Sequence, residues 1–86
     1  MAEVTVRYWA AAKEAAGCAE ERLAARTLAD LLVAVAARHA AAPKLTAVLS
    51  RSSFLIDGQQ AGRQAPESVA LREGAVIEVL PPFAGG

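Results

Sequence analysis

The sequence predicts an α+β fold in which one main helix packs on one face of a mixed β-sheet. Residues 4 to 9, "VTVRYW", alternate with the period of two that marks a half-buried strand. Leu28, Leu31, Leu32 and Val35 recur at helical spacing and give one apolar stripe, which needs a sheet to cover. An apolar run entering Asp57-Gly58 and a second alternating stretch ending at Leu80 supply the remaining strands. With 86 residues there is surface enough to bury for one core only.

Each element follows from its residues. In the opening strand Val4, Val6 and Tyr8 share one side while Thr5, Arg7 and Trp9 share the other, so of the adjacent aromatics one is core and one exposed. "AAAKEAAG" is made of strong helix formers and stops at Gly17, which can take the left-handed conformation that ends helices. Residues 18 to 26, "CAEERLAAR", have helical propensity but the position of a hairpin's return arm, and both readings stand at this point.

Thr27 can cap the principal helix, with Asp30 three residues on. Arg38 and His39 suit the negative end of its dipole, and Pro43 limits it to about residue 41. Leu45, Val48 and Leu49 suggest one more helical turn. "SSFLIDGQQ" reads as a hairpin about Asp57-Gly58, and "LREGAVIEVL" as a turn at Glu73-Gly74 followed by a strand from Ala75 to Leu80.

Nine basic residues balance nine acidic ones, so no net field draws the chain to phosphate backbones or anionic lipid. Neither nucleic acid nor a membrane is an expected partner. No apolar stretch approaches the roughly 20 residues of a membrane-spanning helix. The single Cys18 cannot form an internal disulfide, and no basic segment followed by an apolar one opens the chain, so the cytoplasm is the expected compartment.

The segment "PPFAGG" after Leu80 has its own logic. Pro81 and Pro82 cannot donate ladder hydrogen bonds, so they stop the strand and favour an extended, semi-rigid chain. Gly85 and Gly86 lack Cβ atoms and have the smallest cross-section a chain can offer, suited to threading a narrow tunnel and presenting an unshielded carboxylate. Residues 1–80 are therefore expected to form the domain and 81–86 a projecting tail. Phe83 has no core around it in that arrangement, and a partner that buried it would gain about 1.5–3 kcal/mol.

With this tail on a helix-and-sheet domain of this size, the chain resembles the molybdopterin synthase small subunit family, sulfur carriers of the ubiquitin-like β-grasp fold. "VTVRYWAAAKEAAG" is similar to that family's opening strand and helix, "TLADLL" to its main helix start, "FLIDGQQ" to its hairpin and "LREGAVIEVLPPFAGG" to its closing segment. One departure is Ala75, where the family often has an acidic residue. The resemblance implies a strand at "EERLAA".

It also implies a function. Gly86 is the reacting residue, adenylated with ATP by a ubiquitin-activating-type enzyme and converted to a thiocarboxylate that gives its sulfur to a pterin precursor. The partners implied are that adenylating enzyme and the large subunit of molybdopterin synthase. Pro82, Phe83, Ala84 and Gly85 in the tail, with Trp9 and Lys13 on the domain, are the implied partner-binding residues. No cofactor is expected to be permanently bound, ATP being used by the activating enzyme, and the chain is not expected to be catalytic alone. Carriers for thiazole or cysteine share such a tail, a ubiquitin-like modifier would join Gly86 to lysines on targets, and a plain interaction module would use neither chemistry.

Two further residues have bland readings. Cys18 is expected to act as a small hydrophobe rather than as a persulfide, with Arg22 the only nearby group to stabilise a thiolate. His39, with no ligand at metal-binding spacing, is expected to be a solvated histidine at a helix end, and no metal site is expected.

Overall fold

The structure, a computed structural model, describes residues 2–82. Strand β1 (Ala2–Tyr8) leads through helix α1 (Ala10–Ala16) to strand β2 (Glu20–Ala25), then helices α2 (Leu28–Arg38) and α3 (Pro43–Leu49). Strands β3 (Ser53–Ile56) and β4 (Gln59–Gln60) form a hairpin, and a 3-10 turn at Pro66–Ser68 precedes strand β5 (Val76–Leu80). The sheet order is β2-β1-β5-β3-β4, with β1 and β5 parallel at its centre and antiparallel neighbours outside. This is the ubiquitin-like β-grasp, a mixed sheet with the main helix on one face, as expected.

The alternation in β1 is realised side chain by side chain. Val4, Val6 and Tyr8 are at most 1% exposed, while Arg7 is exposed. Ile77 and Val79 from β5 join them, and Leu28, Leu31 and Val35 from α2 close over the same face with Leu45 and Leu49 from α3. Burying each such side chain fully stabilises the fold by about 1.5–3 kcal/mol. Ala75, the departure from the family pattern, is itself buried, 1% exposed. A charged side chain there would lose its hydration.

Residues 20–25 form a strand because the outer edge of β1 is open to them, and pairing from Ala2↔Ala25 to Arg7↔Glu20 satisfies both backbones. Tertiary pairing overrides their helical propensity. Helix α2 starts as its residues dictate, the Thr27 hydroxyl accepting from the Asp30 N–H at 3.1 Å. It ends at Arg38, three residues before the expected stop near 41. His39 leaves helical geometry, and Ala42, which precedes Pro43, is held out of the α region by the proline ring. Pro43 then opens α3, which spans seven residues rather than one turn.

The hairpin turns at Asp57 (φ 50°) and Gly58 (φ 84°), both in the left-handed region that a two-residue loop of this hand requires. The final strand begins at Val76, one residue later than expected, and stops at Leu80 before Pro81. Among the described residues no helix is long and apolar enough to cross a membrane.

Candidate functional site

Because β1 and β5 run parallel, their C-terminal ends lie side by side, Tyr8 opposite Val79. The Trp9 N–H donates to the Val79 carbonyl at 3.3 Å, so the point where the chain leaves the sheet adjoins the start of α1. The Trp9 carbonyl in turn accepts from the N–H groups of Ala12 (3.0 Å) and Lys13 (3.3 Å). Two residues expected to bind partners, Trp9 and Lys13, thus stand together at the start of α1, with Trp9 hydrogen-bonded to Val79 two residues before Pro81. Pro82 is exposed, and Phe83, Ala84, Gly85 and Gly86 lie outside the described residues.

Trp9 is 44% exposed, the aromatic that the strand pattern leaves outside while Tyr8 enters the core. Its position is fixed from two sides. The indole N–H donates to Glu78 Oε2 at 3.0 Å, and the Arg7 guanidinium lies 5.8 Å from the ring centroid. Arg7 and Glu78 are themselves opposite one another in the β1/β5 register. Neither was singled out by its residue type, but the register places both on the outward face with Trp9. Trp9, Lys13 and Glu14 line a shallow depression that runs along α1 to Gly17 and Cys18.

A second polar group lies where α2 ends over β2. Glu21 faces inward, its Oε2 accepting from the Tyr8 hydroxyl at 2.5 Å and lying 2.6 Å from His39 Nε2, while Arg38 Nε sits 3.0 Å from Oε1. The Tyr8 ring meets the His39 imidazole edge to face, with centroids 6.1 Å apart. His39 is therefore not the solvated histidine expected. Its side chain is only 15% exposed, because the last turn of α2 packs on β2 and brings it to a carboxylate 18 residues earlier in the chain.

The electrostatics follow from that packing. Burial raises the Tyr8 hydroxyl far above its ordinary value, and the hydrogen bond to Glu21 adds to it. Burial alone would raise the Glu21 carboxyl, but the hydrogen bonds from Tyr8 and His39, with the charges of His39 and Arg38, outweigh it and hold the group below the usual range. The Cys18 thiol is raised by burial and then by Glu21, against the opposing charge of Arg38. Arg38, not the expected Arg22, is its cationic neighbour.

No curated protein matches the chain with significance. Among solved structures it is similar to small archaeal modifier protein 1 from Methanosarcina acetivorans, at 27% identity and a TM-score of 0.83, covering 100% of this chain and 98% of that one. A putative molybdopterin converting factor subunit 1 from Pyrococcus furiosus is 23% identical at a TM-score of 0.75, with 96% of this chain and 100% of that chain covered. One chain of a complex of subunits 1 and 2 of molybdopterin-converting factor from Helicobacter pylori 26695 matches at 24% identity and a TM-score of 0.67, with 98% of this chain and 99% of that chain covered. Residues 6–86, nearly the whole chain, match the ThiS family, and the chain belongs to that family of ubiquitin-like sulfur carriers.

Proposed function

We propose that this chain carries sulfur as a thiocarboxylate on Gly86 for the synthesis of molybdopterin. The observation that carries the reading is the family match, which runs through β5 and "PPFAGG" to Gly86 itself. In the first step the Gly86 carboxylate attacks the α-phosphorus of ATP on a ubiquitin-activating-type enzyme, forming an acyl adenylate and releasing pyrophosphate. A sulfide equivalent then adds to the acyl carbon and expels AMP. Glycine serves because its carbonyl has no side chain to hinder that attack.

The large subunit of molybdopterin synthase is the proposed receiver. Support comes from the Helicobacter pylori complex, in which a protein of this fold is paired with subunit 2 of molybdopterin-converting factor. Trp9, Lys13 and Pro82 are assigned to the docking face because Trp9 is hydrogen-bonded to the end of β5, Lys13 is hydrogen-bonded to Trp9 and Pro82 follows β5 in the chain. ATP belongs to the activating enzyme, and the reaction is placed in the cytoplasm.

A second reading, protein modification through Gly86, draws on the likeness to small archaeal modifier protein 1. One experiment separates them. Intact mass spectrometry of protein recovered from its native cells is expected to show one oxygen replaced by sulfur at Gly86, while isopeptide adducts on lysines of other proteins would favour the modifier. Deleting Gly86 abolishes the sulfur-bearing species and leaves the melting temperature unchanged. Persistence of that species in the deletion would overturn the assignment.

A further inference from the structure

Cys18, Glu21 and His39 bring a sulfur, a carboxylate oxygen and an imidazole nitrogen within 4.8 Å of one another, the one such group among the described residues. We propose that these three side chains form a mononuclear site for a borderline divalent transition ion of the zinc class, with a fourth position left for solvent or an incoming ligand. The function proposed above does not use this site. A mixed sulfur, nitrogen and oxygen set suits zinc and its neighbours, whereas magnesium and calcium prefer oxygen alone.

The distances suit such an ion. Bonds of about 2.0–2.3 Å in tetrahedral geometry put donor atoms about 3.3–3.8 Å apart. The three donors therefore close onto a metal by small side-chain rotations, with the 2.6 Å contact between His39 and Glu21 opening to admit it. Metal replaces protons in this step: the Cys18 thiol proton and the His39 Nε2 proton that faces Glu21 both leave to solvent, and Nε2 then coordinates as part of a neutral ring that keeps its proton on Nδ1.

What distinguishes the group from a chance meeting of polar residues is the support behind it. Arg38 holds Glu21 by Oε1, and the Tyr8 hydroxyl donates to Oε2 from the core, so that oxygen is oriented by Tyr8 while its side toward His39 faces the ion. The Tyr8 ring fixes the plane of His39. Metal sites commonly orient their ligands through such outer partners. The ligands come from three places, the bend before β2, the inward face of β2 and the end of α2, so an ion would tie the helix to the sheet edge. Cys18 also lines the depression it shares with Trp9 and Lys13, which gives the fourth position its access.

The test is a titration of the metal-free full-length chain with Zn²⁺ in competition with a chromophoric chelator, repeated with Co²⁺. One equivalent of metal per chain is expected, and the cobalt form should show thiolate-to-metal charge-transfer absorption. Cys18→Ser abolishes that band, and Cys18→Ser and His39→Gln each weaken Zn²⁺ binding by more than about tenfold, while Tyr8→Phe weakens it by about tenfold through Glu21. Alkylating Cys18 in the native protein repeats the Cys18→Ser result without a folding step. No competition with the chelator, a cobalt form without the band, or unchanged affinity in the Cys18 and His39 variants overturns the proposal.

Discussion

Tyr8 is the only tyrosine in the chain, which makes its buried hydroxyl directly observable. The folded protein holds that proton far above the ordinary range, while in the unfolded chain the hydroxyl ionises near pH 10. For a group raised in this sense the stabilisation is complete below about pH 10 and is lost as pH rises above it. In chelator-treated protein, phenolate absorbance should therefore appear only together with loss of the far-ultraviolet circular dichroism. A phenolate titrating near pH 10 in protein that stays folded would refute the assigned environment. Tyr8→Phe keeps the ring but leaves Glu21 without its shortest hydrogen bond, at a cost of about 1–3 kcal/mol in denaturant unfolding. His39 illustrates what one residue cannot disclose. Its type and helix-end position both indicate solvent, and only the packing of α2 on β2 supplies Glu21 as its partner.

At the level of elements, boundaries with a local cause were legible and those with a distant cause were not. Thr27 caps its own helix through Asp30, three residues away, so the start of α2 needs nothing beyond the local sequence. Thr27→Ala should cost about 1 kcal/mol in denaturant unfolding, and Thr27→Ser should recover most of it. The hairpin is equally local. Gly58 sits at φ 84° with nothing within 4 Å of where a Cβ would be, so Gly58→Ala tests backbone strain free of any clash. We expect it to cost about 1–2 kcal/mol, while Gly58→Asn is tolerated better because asparagine visits this region readily. A fully neutral Gly58→Ala would show that the turn adopts another geometry. Strand β2 is the opposite case. "EERLAA" is a strand because β1 offers an unpaired edge, and no property of those six residues dictates it; only the resemblance to a family did.

For the whole molecule, the arrangement of the strands explains why carrier chemistry and fold stability can be separated. The central parallel pair, β1 and β5, contributes side chains at most 1% exposed, Val4, Val6, Ile77 and Val79 among them, while its shared C-terminal edge delivers Trp9 and Pro82 to one exposed corner. The core stripe on each strand was legible as alternation; the corner was not, because it arises from β1 and β5 lying in register, which no local pattern encodes. The described core side chains run from Val4 to Val79, all of them before "PPFAGG". Truncation after Pro82 should therefore leave the denaturation midpoint nearly unchanged while eliminating sulfur loading. Ile77→Ala, by contrast, removes a side chain with 0% exposure and should cost about 2–5 kcal/mol, yet whatever fraction stays folded retains an intact Gly86 and should load at the normal rate per folded molecule. Measuring loading and unfolding on both variants tests the separation, and it fails if truncation destabilises the domain by as much as the core substitution does.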